Sequence, residues 1–213
     1  MNEDTLQSVL LPILRALEGV MDHIVLIGGW VPELHRRFGS SEEWRVKPLG
    51  RLGAILLPDL GVLSDRSVAL RVPLDSRDDE SPGRSVSVQV PQLGAFLIHK
   101  GAIFRRRPDL EKQVKDLHYI VDVMQSGEAQ VEKVEKEIEG YCGEGGGTAE
   151  MARQARNHLG VVIGEASGTE LRTRLASGLA VRHRLSMMTA DARAEGFLSD
   201  FRDLIPEDCG DSG

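Results

Sequence analysis

Val25-Leu26-Ile27-Gly28-Gly29-Trp30, running on into Val31-Pro32-Glu33-Leu34-His35-Arg36-Arg37, is a short apolar run that breaks on two glycines and passes into a polar helix start. The apolar residues predict a short buried strand over 25–27, and the glycine pair supplies the unusual backbone angles of a tight turn. A helix that opens directly after such a turn points its backbone N–H groups and the positive end of its dipole at one place, which suits a phosphate. Gly28 and Gly29 are therefore candidate nucleotide-binding residues. No Gly-Lys-Ser/Thr follows and no third glycine completes a dinucleotide fingerprint, so a purely structural turn is the competing explanation.

Outward from this stretch, Leu6, Val9, Leu10, Ile13, Leu14 and Leu17 recur at helical spacing, and Pro12 within them predicts a helix that is kinked or starts late. Val68 to Leu74 and Val86 to Val90 alternate as strands do, with the polar stretch 75–84 as the hairpin loop between them. From Leu93 onward strand signals fade. Helices are expected over 93–105, 110–125, 129–141, 148–159, 169–180 and 191–204, with Pro108 as a helix starter and Gly143 to Gly147 as a flexible break. The fold class expected is α/β, a small mixed sheet followed by a helical C-terminal part. The divisions are 1–92, 93–205 and an acidic, glycine-rich tail over 206–213 expected to be disordered.

Two further segments carry chemistry. Ala95-Phe96-Leu97-Ile98-His99-Lys100 ends an apolar helix on a lysine, and Lys115-Asp116-Leu117-His118-Tyr119-Ile120 follows one helix later. Together with Gly28-Gly29-Trp30, these resemble the nucleotidyltransferase-like proteins of abortive-infection and type IV toxin–antitoxin systems, a branch of the polymerase-beta-type superfamily. The resemblance covers roughly residues 20–37 and 85–125. It implies a sheet of nucleotidyltransferase type, a nucleotide-contacting role for Lys100 and a catalytic role for Asp116. It also implies Mg²⁺ as cofactor, a nucleoside triphosphate as ligand, and an RNA acceptor and an antitoxin protein as further partners. Active members would transfer a nucleotide to an RNA or protein acceptor.

One piece of the pattern is missing. The family places an Asp-x-Asp strand after the glycine turn, whereas this chain reads Lys47-Pro48-Leu49-Gly50-Arg51-Leu52-Gly53-Ala54-Ile55-Leu56-Leu57-Pro58-Asp59. Either Ala54 and Leu56 stand where carboxylates belong, or Leu49, Leu52, Ile55 and Leu56 form a helix and the catalytic strand is absent. No metal ligand is assigned. The alternative function is accordingly a catalytically inactive nucleotide-binding or regulatory module of the same fold.

Each candidate has a plain competitor. Lys100 also fits a lysine snorkelling from a packed helix, and Asp116 a solvated helix position. His99, His118 and Tyr119 are expected to pack in the core or the cleft wall, and Arg105-Arg106-Arg107 with Lys112 and Lys115 to form a solvated basic face, which the resemblance would instead make a surface for an RNA backbone. Arg153 and His158 are similar to the Arg-x4-His signature of a helical ribonuclease domain, a match short enough to arise by chance in an arginine-rich helix.

At 213 residues the chain is long enough for one large or two small domains, and its net charge of −7 argues against coating nucleic acid through the overall field. No apolar run approaches twenty residues and the N-terminus lacks a basic start, so neither membrane nor export is expected, and the location expected is cytoplasmic. Cys142 and Cys209 have no metal-ligand spacing, and two isolated cysteines predict no disulfide framework.

Overall fold

A computed structural model describes residues 9–38, 61–74, 85–164 and 168–210. The stretch from Lys47 to Asp59, where the resemblance would put the metal strand, and the hairpin loop expected over 75–84 lie outside the described residues. The chain divides into two compact units, Met1–Gln92 and Leu93–Gly213.

In the N-terminal unit, helix α1 (Leu11–Leu17) starts late, with Pro12 in its first turn where a missing N–H is harmless. A 3-10 turn (Glu18–His23) leads to helix α2 (Trp30–Phe38), and the short helix α3 (Gly61–Asp65) precedes strands β1 (Ser67–Pro73) and β2 (Ser85–Pro91). The two strands pair antiparallel, with Leu70 opposite Val88 and Val72 opposite Val86. Alternation puts Leu70, Val72, Val86, Val88 and Val90 on one buried face, which packs with Leu10, Leu14, Trp30 and Leu34. A lone two-stranded ribbon is marginal in water, so the helices that cover this face are what stabilise it.

The expected strand over 25–27 is reduced to a single parallel bridge from Val25 to Gln89, with the Leu26 N–H donating to the Gln89 carbonyl at 2.8 Å. Residues 24–29 are only half-buried. The fold is thus broadly α/β but mostly helical, and among the described residues the sheet has two full strands, antiparallel, with the lone Val25 bridge parallel to β2.

The helical unit is built around α4 (Leu93–Ile103), all eleven residues of which are buried. A helix buried around its whole circumference, and apolar but for His99 and Lys100, belongs at the centre of a packed bundle. Two glycines let neighbours close on it. A Cβ at Gly94 would stand 3.0 Å from the Glu137 Cβ, and one at Gly101 would stand 2.8 Å from that of Ala155. The Gly94 N–H donates to Glu137 Oε2 at 2.6 Å, tying the start of α4 to helix α6 (Glu128–Glu144). A 3-10 turn (Phe104–Arg106) links α4 to helix α5 (Leu110–Met124), whose N-cap is Asp109, accepting from the Lys112 N–H at 2.7 Å; Pro108 precedes the cap. Helices α7 (Gly146–Gly164), α8 (Thr169–His183) and α9 (Met187–Asp203) complete the unit.

Two expectations are corrected here. The glycine run near 143–147 is a tight corner, because only Gly145 (φ +71) and Gly146 (φ +75) need the left-handed region and the two long helices run up to it on either side. Residues 206–210 are packed rather than disordered. Cys209 is buried and forms a disulfide with Cys142, Ile205 is in the core, and Arg156 donates to the Arg202 and Ile205 carbonyls and to Glu207. Composition predicts disorder there, but buried Ile205 and Cys209 and the Arg156 guanidinium hold the stretch while Glu207 and Asp208 stay exposed.

Candidate functional site

Lys100 lies one turn before the end of α4, and Asp116 near the middle of α5. The structure brings them together. Lys100 Nζ donates to Asp116 Oδ1 at 2.7 Å, and Arg107 Nε donates to Asp116 Oδ2 at 2.7 Å. The ammonium also sits 5.4 Å from the Phe96 ring centre and 5.3 Å from that of Tyr119, one residue from each helix. Helical spacing explains the cage: Phe96 is four residues before Lys100 on α4, and Tyr119 three after Asp116 on α5.

Burial pushes the Lys100 ammonium below the ordinary lysine value, Asp116 pulls it back, and Arg107 and Lys115 add to the downward push. The ammonium does not snorkel to the surface; its side chain is 9% exposed, against 20% for that of Arg107. Asp116 likewise has both oxygens engaged rather than presented to an open cleft. Arg107 was legible only as one of three arginines in a row, and no spacing rule separates it from Arg105 and Arg106.

A second polar station lies on α5. Arg182 of α8 donates to both oxygens of Asp122 at 2.7 and 2.6 Å, and Gln125 Nε2 donates to Oδ1 at 3.2 Å. His118, one turn before Asp122, packs its ring against Gly178, where a Cβ would stand 2.4 Å from Nε2. Burial, then the positive charges of Arg182 and His183, push His118 down to about 4. The folded protein thus binds fewer protons than the unfolded chain between about pH 6.5 and about pH 4, and stability falls as pH drops through that window. The full effect is roughly 3 kcal/mol. Burial raises Asp122, which takes up its proton earlier than in the unfolded chain and so offsets part of the loss at the acid end. Urea unfolding followed across the window is expected to show the slope in the native chain and lose it in His118→Leu. An unchanged slope in that variant would refute the assignment.

Gly28 and Gly29 sit in the turn before α2. Gly28 has φ +90, which accounts for glycine there, and nothing lies within 4 Å of where its Cβ would be. The Val31 N–H closes on the Gly28 carbonyl at 3.1 Å and Pro32 has no N–H, so two of the donors a helix start would offer a phosphate are spent or missing. In the first turn of α2, Glu33 is buried and paired with Arg36 and Arg37, while His35 Nε2 hydrogen-bonds the Pro91 carbonyl at 2.8 Å.

Arg153 and His158 are engaged separately. Arg153 pairs with Glu150 at 2.6 Å, and His158 Nδ1 faces the Gly101 carbonyl at 3.3 Å with its ring edge-on to Phe104. Burial lowers His158. In the same unit a cavity of about 260 Å³ is lined by Arg105, Gln113, Val161, Val162, Gly168 and Leu171. It falls below the roughly 300–1,000 Å³ of sites that enclose a small molecule.

Among the described residues no group of three His, Cys, Asp or Glu side chains is placed to hold a metal ion, and no helix is long and apolar enough to cross a membrane. Comparison with protein-family models, with curated proteins and with solved structures gives no match for this chain.

Proposed function

We propose that the chain is a nucleotidyltransferase-like protein of toxin–antitoxin type that recognises the phosphates of a nucleoside triphosphate but does not carry out metal-dependent transfer. One observation carries this reading. Two cations, Lys100 and Arg107, flank the single carboxylate Asp116, so the place where the resemblance puts nucleotide contact holds a net positive charge. In the N-terminal unit, taken by itself, Gly28 and Gly29 are the other candidate nucleotide-binding residues.

Transfer of a nucleotidyl group needs metal ions to offset charge on the phosphates. The donor set does not fit Mg²⁺: Asp116 is a single carboxylate with a cation already on each oxygen, and the sequence holds no Asp-x-Asp before Lys100. The alternative function, an inactive nucleotide-binding or regulatory module, is therefore favoured over transfer to an RNA or protein acceptor. In that role the ligand-bound form would be what an antitoxin protein reads.

The test is incubation with each labelled nucleoside triphosphate, Mg²⁺, and total RNA or the protein itself as acceptor, alongside calorimetric titration of the same nucleotides. Binding without label transfer is expected, since loss of the metal site removes several orders of magnitude in rate. Robust metal-dependent labelling would overturn the inactive assignment, and no binding of any nucleotide would overturn the whole proposal.

A further inference from the structure

We propose that Arg107, and not Lys100, is the side chain through which the helical unit contacts the triphosphate, with Lys100 acting from behind as a positioning residue that neutralises Asp116. The inference rests on the nucleotide-binding reading above and names the contact within it. Lys100, Asp116 and Arg107 sum to one positive charge, and Asp109, the other carboxylate that feels Arg107, is itself paired with Lys112 at 3.0 Å. That charge reaches solvent only where the cluster does, and Arg107 is its more exposed cation. The Lys100 ammonium is taken up by Asp116 and lies against the Phe96 and Tyr119 rings with its side chain 9% exposed, which leaves little room for a phosphate group to reach it.

The donor inventory agrees. A guanidinium carries five N–H groups, and the hydrogen bond that Arg107 makes from its side chain among the described residues uses Nε alone. The carboxylate therefore grips the guanidinium by its inner nitrogen and leaves the two outer nitrogens, the fork that matches a phosphate. The residue is also held in place from the backbone. Its N–H donates to the Phe104 carbonyl at 3.0 Å, and its carbonyl accepts from Gln113 Nε2 at 3.1 Å. A side chain pinned at both backbone groups and at Nε loses little freedom on binding. Lys115, close enough to bear on the Lys100 ammonium, and exposed Arg105 and Arg106 add positive potential around it.

In this arrangement Lys100 matters because it keeps Asp116 from cancelling Arg107. Removing Lys100 leaves a neutral Asp116–Arg107 pair, and removing Asp116 as well sets the Arg107 charge free again. Calorimetric titrations of the full chain with the nucleoside triphosphates, with inorganic tripolyphosphate and with the unphosphorylated nucleosides separate these roles. Arg107→Ala is expected to weaken binding of both triphosphate and tripolyphosphate by roughly 10- to 100-fold, the scale of a lost charge-assisted contact, with nucleosides unaffected. Arg107→Lys, which keeps the charge and loses the fork, should recover part of that loss. Lys100→Met should weaken binding, and Lys100→Met with Asp116→Asn should restore it, a rescue that a phosphate-contacting Lys100 would not allow.

If the native chain binds triphosphates and Arg107→Ala binds them equally well, the inference is overturned while the nucleotide-binding reading stands. If the native chain binds neither triphosphate nor tripolyphosphate, both fall; binding of single-stranded RNA in their place would likewise reject the triphosphate as ligand. The Arg107 pair of variants decides the matter even if the Lys100 variants fail to fold.

Discussion

Asp116→Ala is expected to lower the stability of the helical unit by about 3–5 kcal/mol, the cost of leaving a buried charge without its partner. Arg107 is the lesser concern, because its partly exposed guanidinium can turn to water. Lys100 has no such exit. Its ammonium lies beside the edge-to-face pair of Phe96 and Tyr119 rings, on a helix whose every residue is buried, so losing Asp116 forces it to shed its proton or to drag water into the core. The doubly substituted Lys100→Met, Asp116→Leu chain should recover most of the loss, since apolar replacement of both members of a buried pair is often neutral or stabilising. Urea unfolding midpoints measure both effects. A change below about 1 kcal/mol in Asp116→Ala, the scale of an exposed pair, would show that the triad is solvated and the enclosure described for Lys100 is wrong.

The second large effect concerns the disulfide. Cys142 and Cys209 are 67 positions apart, and a crosslink closing a loop between the 15-residue and 100-residue reference cases restricts the unfolded chain by about 4 kcal/mol. Reductant should therefore lower the unfolding midpoint of the native chain markedly. Cys142→Ala combined with Cys209→Ala should start from the lower midpoint and ignore reductant. If reductant leaves the native midpoint unmoved, the two sulfurs are not joined in solution.

How much of this was legible beforehand depended on whether a residue's role is local or tertiary. Leu93–Ile103 announced a buried helix by composition, and the alternation of 68–74 and 86–90 announced two paired strands, because each signal lies within one element. Val25 misled because a three-residue apolar run is too short to distinguish a strand from a single bridge. Lys100 and Asp116 were visible as chemistry-bearing residues, yet nothing in a sixteen-residue spacing says that they bond to each other. Arg107 was hidden among identical neighbours, and only the turn after α4 selects it. The Cys142–Cys209 pairing was hidden for the same reason, since it depends on how α9 returns the chain to the end of α6.

That pairing has a practical corollary. Because Cys142 closes the end of α6 and Cys209 follows α9, helices α7, α8 and α9 lie on a covalent ring, while α4 and α5, which carry Lys100 and Asp116, lie outside it. A protease that severs one peptide bond within the ring opens the circle without releasing a fragment. The cut chain would keep the mass of the intact protein plus one water, and run as two pieces on a denaturing gel only after thiol is added. A cut between Lys100 and Asp116 would liberate a fragment from the denatured chain at once, so gels run with and without thiol map a nick to one side of Cys142 or the other.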